Sequence, residues 1–151
     1  MTSEVDWQRK QELRKRIEQQ RRELAKKWVD NTSEEIVANL KRLPQFQSAK
    51  TIHTYVAWRN EVNNHRLIKD ILSEGRRVVV PAVDLSHHTL IHSLISNFDD
   101  LRPGAFGILE PPVDRIHSID ISEIDLILVP GAAFDFAGNR LGYGGAITTI
   151  F

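Results

Sequence analysis

The chain has 151 residues, with 20 Lys and Arg against 20 Asp and Glu, 41% hydrophobic and 26% charged residues, and no cysteine. This is one domain's worth of chain with ordinary globular composition, too apolar for a disordered polymer. The missing cysteine excludes disulfides, a thiol nucleophile, thiolate zinc sites and iron–sulfur clusters, and no apolar run approaches the roughly 18 residues that a membrane span needs. A charged N-terminus with no apolar signal core reads as that of a cytoplasmic protein. The neutral total conceals an asymmetry: residues 1–50 hold 12 Lys and Arg against 8 Asp and Glu, and the remainder holds 8 against 12. The excess is too small for a bulk nucleic-acid binder. It suits a basic element that docks on the body or meets a small anionic ligand.

The first predicted element is a helix from about Trp7 to Trp28, with Leu13, Ile17, Leu24 and Trp28 on one stripe and a run of Lys and Arg around them. Thr32 with Glu35 three residues later reads as a capping box that opens a second helix, carrying Ile36, Val37, Leu40 and Leu43 and stopping before Pro44. Thr51 to Trp58 is β-branched and aromatic, hence a strand. Asn63 or Asn64 can cap a helix bearing Leu67, Ile68, Ile71 and Leu72, with Gly75 past its end. Arg76 to Val83 is a strongly apolar strand. Strand, helix and strand within about 30 residues form a βαβ unit and favour a parallel sheet. Thr89 to Ile95 is a weaker strand, Phe98 to Pro112 a loop, and Ile124 to Pro130 a second buried strand. With no repeat and no interdomain linker, residues 1–151 read as a single α/β domain.

Five of the eight glycines then fall between Gly131 and Gly145. A loop at the carboxyl end of a parallel strand is where open α/β sheets bind ligands. Glycines there let backbone N–H groups approach phosphate oxygens, and Arg140 can add a guanidinium. The segment is neither a Walker loop nor a dinucleotide fingerprint. His87, His88 and His92 read as ordinary polar residues rather than a metal site, because adjacent strand residues point to opposite faces.

Several stretches together resemble one family, 5-formyltetrahydrofolate cyclo-ligase, also called methenyltetrahydrofolate synthetase. Lys10-Gln11-Glu12-Leu13-Arg14 is similar to its N-terminal Lys-x-x-x-Arg pair. Tyr55-Val56-Ala57-Trp58-Arg59-Asn60-Glu61-Val62 is similar to its first strand and acidic loop, with Glu61 in the acidic position. Phe106-Gly107-Ile108-Leu109-Glu110-Pro111 is similar to its Gly-Ile-x-Glu-Pro segment, and Asp125 to Gly145 follow its longest signature almost position for position. The resemblance implies a three-layer, mostly parallel α/β fold shared with glucosamine-phosphate isomerases, ribose-phosphate isomerases and CoA transferases. It implies ATP- and magnesium-dependent conversion of 5-formyltetrahydrofolate to 5,10-methenyltetrahydrofolate, with release of ADP and phosphate, and small-molecule rather than nucleic-acid or membrane partners. Lys10, Arg14, Asn139, Arg140, Leu141, Gly142, Tyr143, Gly144 and Gly145 are then expected at the nucleotide. Tyr55, Val56, Trp58, Glu61 and Phe106 are expected at the folate.

The resemblance breaks off after Gly145. The family continues Gly-Gly-Tyr-Tyr-Asp into a further helix and strand, whereas this chain reads Ala146-Ile147-Thr148-Thr149-Ile150-Phe151. Deleting one base from a glycine codon ahead of codons for Tyr-Tyr-Asp-His reproduces that ending, so the expectation is a truncated or frameshifted gene with impaired turnover. The alternative function is a remnant that binds nucleotide or folate without turning over.

Overall fold

The computed structural model describes residues 4–144, which places Gly145 and the residues after it outside the described part of the chain. Spatial contacts between backbone positions group the chain into two compact units. One spans Lys26–Val129, and the other combines the first 25 residues with those from Pro130 onward.

The larger unit is built on a four-stranded sheet of β1 (Thr51–Thr54), β2 (Arg77–Asp84), β3 (Thr89–Ile95) and β6 (Leu126–Leu128), in the order β3-β2-β1-β6. β1 runs parallel to both β2 and β6, with Ile52 opposite Val78 and Leu126. β3 returns antiparallel along β2, so the sheet is mostly parallel with one antiparallel edge, as the predicted βαβ unit requires. Asp125 fixes the register of β6: its carboxylate accepts from the amides of Lys50 (2.8 Å) and Thr51 (2.9 Å) at the entry to β1. Those amides hold its carboxyl below the usual carboxylate range. Pro81 is tolerated inside β2 because the pairing with β1 ends at His53 and Val79, so its missing N–H deprives no parallel neighbour.

α2 (Lys26–Lys41), α3 (Pro44–Ser48) and α4 (His65–Ser73) complete this unit, with the short antiparallel pair β4 (Arg102–Pro103) and β5 (Leu109–Glu110). Leu67, Ile68 and Ile71 of α4 pack with Ile52, Val78, Val80, Val56, Phe46 and Phe98 in one apolar cluster. Period-2 alternation sends His53 and Val79 to the opposite face. There His53, 1% exposed, stands with its Nε2 3.2 Å from His92 Nδ1.

The smaller unit contains α1 (Glu4–Arg22), β7 (Ala133–Phe134) and β8 (Arg140–Leu141), the last two pairing as a hairpin. Several sequence expectations shift. The first helix ends at Arg22, not Trp28, and the second starts at Lys26. Thr32 and Glu35 therefore lie inside α2 and cap nothing, and Trp28 belongs to α2 with 54% of its surface exposed. No glycine or proline marks the break. Ser33 survives mid-helix by bonding back to the Val29 carbonyl at 2.6 Å. Pro44 does not merely stop α2 but opens α3 at a position where its missing N–H costs nothing. The first strand is four residues rather than eight, the last three, and residues 98–112 hold the β4–β5 pair rather than loop alone.

Burial, then the neighbouring His92, pushes the His53 pKa down from 6.5 to about 4. A base with a folded pKa below its unfolded value binds protons preferentially in the unfolded state. Stability is complete above about pH 6.5 and is lost as pH falls toward 4. The urea midpoint should therefore climb between pH 4 and 6.5, and His53→Gln should flatten that climb. An unchanged slope in the variant would assign it to other groups.

Candidate active site

In the smaller unit three arginines converge on carbonyls of one segment, residues 130–144. Arg14 donates from Nε to the Gly142 carbonyl at 2.8 Å. Arg21 donates to the Gly131 carbonyl at 3.0 Å and to the Tyr143 hydroxyl at 2.7 Å. Arg140 donates to the Pro130 carbonyl at 2.8 Å. Carbonyl oxygens facing an anion would repel it. A guanidinium on each one cancels that dipole and leaves a net positive charge beside the backbone. In a trans peptide the C=O and the following N–H point in opposite directions. Turning the Gly142 carbonyl onto Arg14 therefore turns the Tyr143 N–H away from it. Gly144 holds φ at +87°, a left-handed conformation that favours glycine.

Asn139 and Asp135 form the hairpin turn. Asp135 accepts from the amides of Ala137 (3.0 Å) and Asn139 (2.8 Å) and from the Asn139 side-chain amide (2.8 Å). The Asn139 side chain, the first cause, together with these backbone donors holds the Asp135 carboxyl below its ordinary range. Asn139 thus shapes the segment from within. Leu141 is half-buried, and its carbonyl accepts from the Ala132 amide at 2.7 Å, closing the base of the hairpin. Lys10 is exposed on α1 with no polar partner among the described residues. The sequence reading named Lys10, Arg14 and Arg140 but not Arg21. At about 100° per residue, Lys10, Arg14 and Arg21 fall within roughly 40° of one another on α1, which is the signal that could have found it.

In the larger unit the other expected residues lie on and after β1. The Tyr55 hydroxyl donates to the Val62 carbonyl at 2.8 Å, and Glu61 accepts from the Trp58 amide at 2.8 Å, closing a turn. Arg59, at φ +53°, lays its guanidinium 3.8 Å above the Trp58 ring. Phe106, at φ +62°, is 68% exposed. A Cβ at the adjacent Gly107 would stand 3.6 Å from the Trp58 indole nitrogen, so Trp58 and the turn at residues 105–107 are neighbours. Val56 instead packs in the hydrophobic cluster and offers a ligand almost no surface. Glu110, in the Gly-Ile-x-Glu-Pro segment, accepts from the Val83 amide at 3.1 Å, and its carboxyl fills the place where a Gly104 side chain would sit.

Asn64 was expected only as a cap. Its side chain accepts from the Ala57 amide (3.0 Å) and donates to the Thr54 hydroxyl (2.9 Å) and the Tyr55 carbonyl (2.6 Å), bracing the loop that carries Tyr55, Trp58 and Glu61. Among the described residues no three His, Cys, Asp or Glu side chains converge as a metal cage, and His87 is paired with Asp84. No described helix is long and apolar enough to cross a membrane.

Comparison with known proteins gives this geometry its context. The sequence model of the 5-formyltetrahydrofolate cyclo-ligase family matches residues 6–147. The Haemophilus influenzae 5-formyltetrahydrofolate cyclo-ligase is 26% identical over 142 residues, covering 93% of this chain and 76% of that protein. The mitochondrial 5-formyltetrahydrofolate cyclo-ligase of Arabidopsis thaliana is 34% identical over 122 residues, covering 72% of this chain but 44% of its own length. The NMR structure of Aquifex aeolicus 5,10-methenyltetrahydrofolate synthetase superposes with a TM-score of 0.78 at 33% identity, covering 89% of this chain and 67% of that one. The chain belongs to the 5-formyltetrahydrofolate cyclo-ligase family, with its α/β fold.

Replacing Asn64 with Ala removes the acceptor of the Ala57 amide and one partner each from the Thr54 hydroxyl and the Tyr55 carbonyl, which remain bonded to each other. Asn64→Ala should lower unfolding stability by about 2–4 kcal/mol, read from urea denaturation. A change below about 0.5 kcal/mol would mean that water replaces the amide.

Proposed function

We propose that this chain performs the cyclisation characteristic of its family: 5-formyltetrahydrofolate and ATP are converted to 5,10-methenyltetrahydrofolate, ADP and phosphate. The observation that carries the reading is the convergence of Arg14, Arg21 and Arg140 on the carbonyls of residues 130–144. A triphosphate needs preorganised cations and backbone donors, which cost no reorganisation when charge develops. The exposed Lys10, on the same side of α1 as Arg14, supplies a further cation.

The formyl oxygen takes the γ-phosphoryl group and ADP departs. The N10 nitrogen then attacks the formyl carbon, the carbon–oxygen bond breaks, and phosphate leaves as the N10 proton passes to solvent. The chain's part is mainly electrostatic and positional. Arg14 and Arg140 balance the phosphate charge, while the hairpin locked by Asp135 and Asn139 fixes the backbone that meets it. Magnesium would neutralise phosphate charge when bound. Its place would be at the nucleotide's phosphates, where Mg2+ is usually bound with few protein ligands.

For the folate we assign Trp58 and Phe106 as aromatic walls, the ring of Tyr55 as an apolar contact, and Glu61 as acceptor for pterin N–H groups. Val56, in the core, supports the end of β1 from below.

The test is the absorbance of the methenyl product. It should appear only when 5-formyltetrahydrofolate, ATP and Mg2+ are all present, and chelation of the metal should stop it. Arg14→Ala should raise the KM for ATP about tenfold or more. Calorimetric binding of ATP or folate without any product would favour the binding remnant instead.

A further inference from the structure

Arg21 reaches two points at opposite ends of the glycine-rich segment, the Gly131 carbonyl at 3.0 Å and the Tyr143 hydroxyl at 2.7 Å. Its guanidinium also lies 6.0 Å from the centre of the Tyr143 ring. Between these two anchors the chain runs out along β7, turns at Asp135–Asn139 and returns along β8. Each strand is only two residues long, so the ladder alone gives the segment little rigidity. The second tie from α1, Arg14 to Gly142, grips only the returning limb.

We propose that Arg21 is a positioning residue for nucleotide binding: it staples the start of the segment at Gly131 to its end at Tyr143, so that the backbone is ordered before the phosphates arrive. The inference rests on the proposed nucleotide site and adds to it a residue that acts through the segment. Three features support it. Arg21 is half-buried, so its charge is less screened than that of the exposed arginines beside it. Both acceptors are in the segment itself, and one of them is a backbone carbonyl that no side-chain change at Gly131 could replace. The planar fork of arginine can serve two acceptors at once, whereas a lysine ammonium is a point charge on a flexible stem. A segment ordered in advance binds more tightly because less freedom is lost on binding.

The test compares the wild-type chain with Arg21→Ala, Arg21→Lys and Tyr143→Phe, the last deleting a single hydroxyl and leaving the ring. KM for ATP, KM for 5-formyltetrahydrofolate, kcat, and the Kd of a non-hydrolysable ATP analogue are measured, with thermal melting as the check on folding. Arg21→Ala should raise the ATP KM and the analogue Kd about tenfold, with kcat within about threefold and the folate KM within about twofold. Arg21→Lys should recover only a minor part of the loss, because charge returns without the fork. Tyr143→Phe should weaken analogue binding about three- to fivefold, and it carries the test alone if Arg21→Ala fails to fold.

Wild-type-like ATP parameters in Arg21→Ala or Tyr143→Phe, full rescue by lysine, or a parallel rise in both KM values would overturn the proposal while leaving the nucleotide site standing. A wild-type chain that binds no analogue would overturn both.

Discussion

A guanidinium donating to a backbone carbonyl is the interaction on which the smaller unit depends. α1 buries no residue fully, although Leu13 and Ile17 of its apolar stripe are half-buried. Arg14 and Arg21 add directed ties to residues 130–144, each to a glycine carbonyl. Such bonds are charge-assisted and stronger than neutral ones. They have a second effect, because a positive charge spent on a carbonyl is still a positive charge to an approaching phosphate. The same side chains therefore hold the segment in shape and, in the proposed nucleotide site, present positive charge to the phosphates. In many proteins those two duties fall on different residues.

The larger unit solves a different problem, that of fixing a loop after a very short strand. β1 has four residues, all buried, and the residues expected to meet folate follow it directly. Two polar side chains define where they go. Asp125 secures the start of the strand through the amides of Lys50 and Thr51, and Asn64 secures its end through Thr54, Tyr55 and Ala57. Asn64 is 2% exposed and its side-chain oxygen and nitrogen are both hydrogen-bonded, which is the condition under which a buried amide adds definition rather than cost. The left-handed backbone at the non-glycine residues Arg59 and Phe106 marks the two nearby turns as places where local strain is held by their surroundings.

Several motif residues take on structural duties. Asp125 and Glu110 belong to stretches that resemble the family, yet each carboxylate accepts from main-chain amides and sets strand geometry. Asp135 likewise organises its own turn. A carboxylate within a signature therefore need not face the substrate. Its short reach and several acceptor sites make it equally good at satisfying backbone donors that a ladder leaves open.

The sequence by itself determined the α/β class, the βαβ unit, the apolar face of α4 and the glycine-rich segment, because periodicity, propensity and glycine content act locally and survive in one dimension. Through spacing and resemblance it also singled out Lys10, Arg14 and Arg140 as candidates. It misplaced the break between α1 and α2, since no glycine or proline stands there and the polar run at Asp30–Ser33 imitates a helix start. It left Arg21 among many surface cations, did not reveal that Val56 lies in the core and saw Asn64 only as a cap. Those assignments depend on which carbonyl, amide or apolar surface lies opposite a side chain. Arg21 and Gly131 are 110 positions apart, and only the folded chain determines what meets across such a distance.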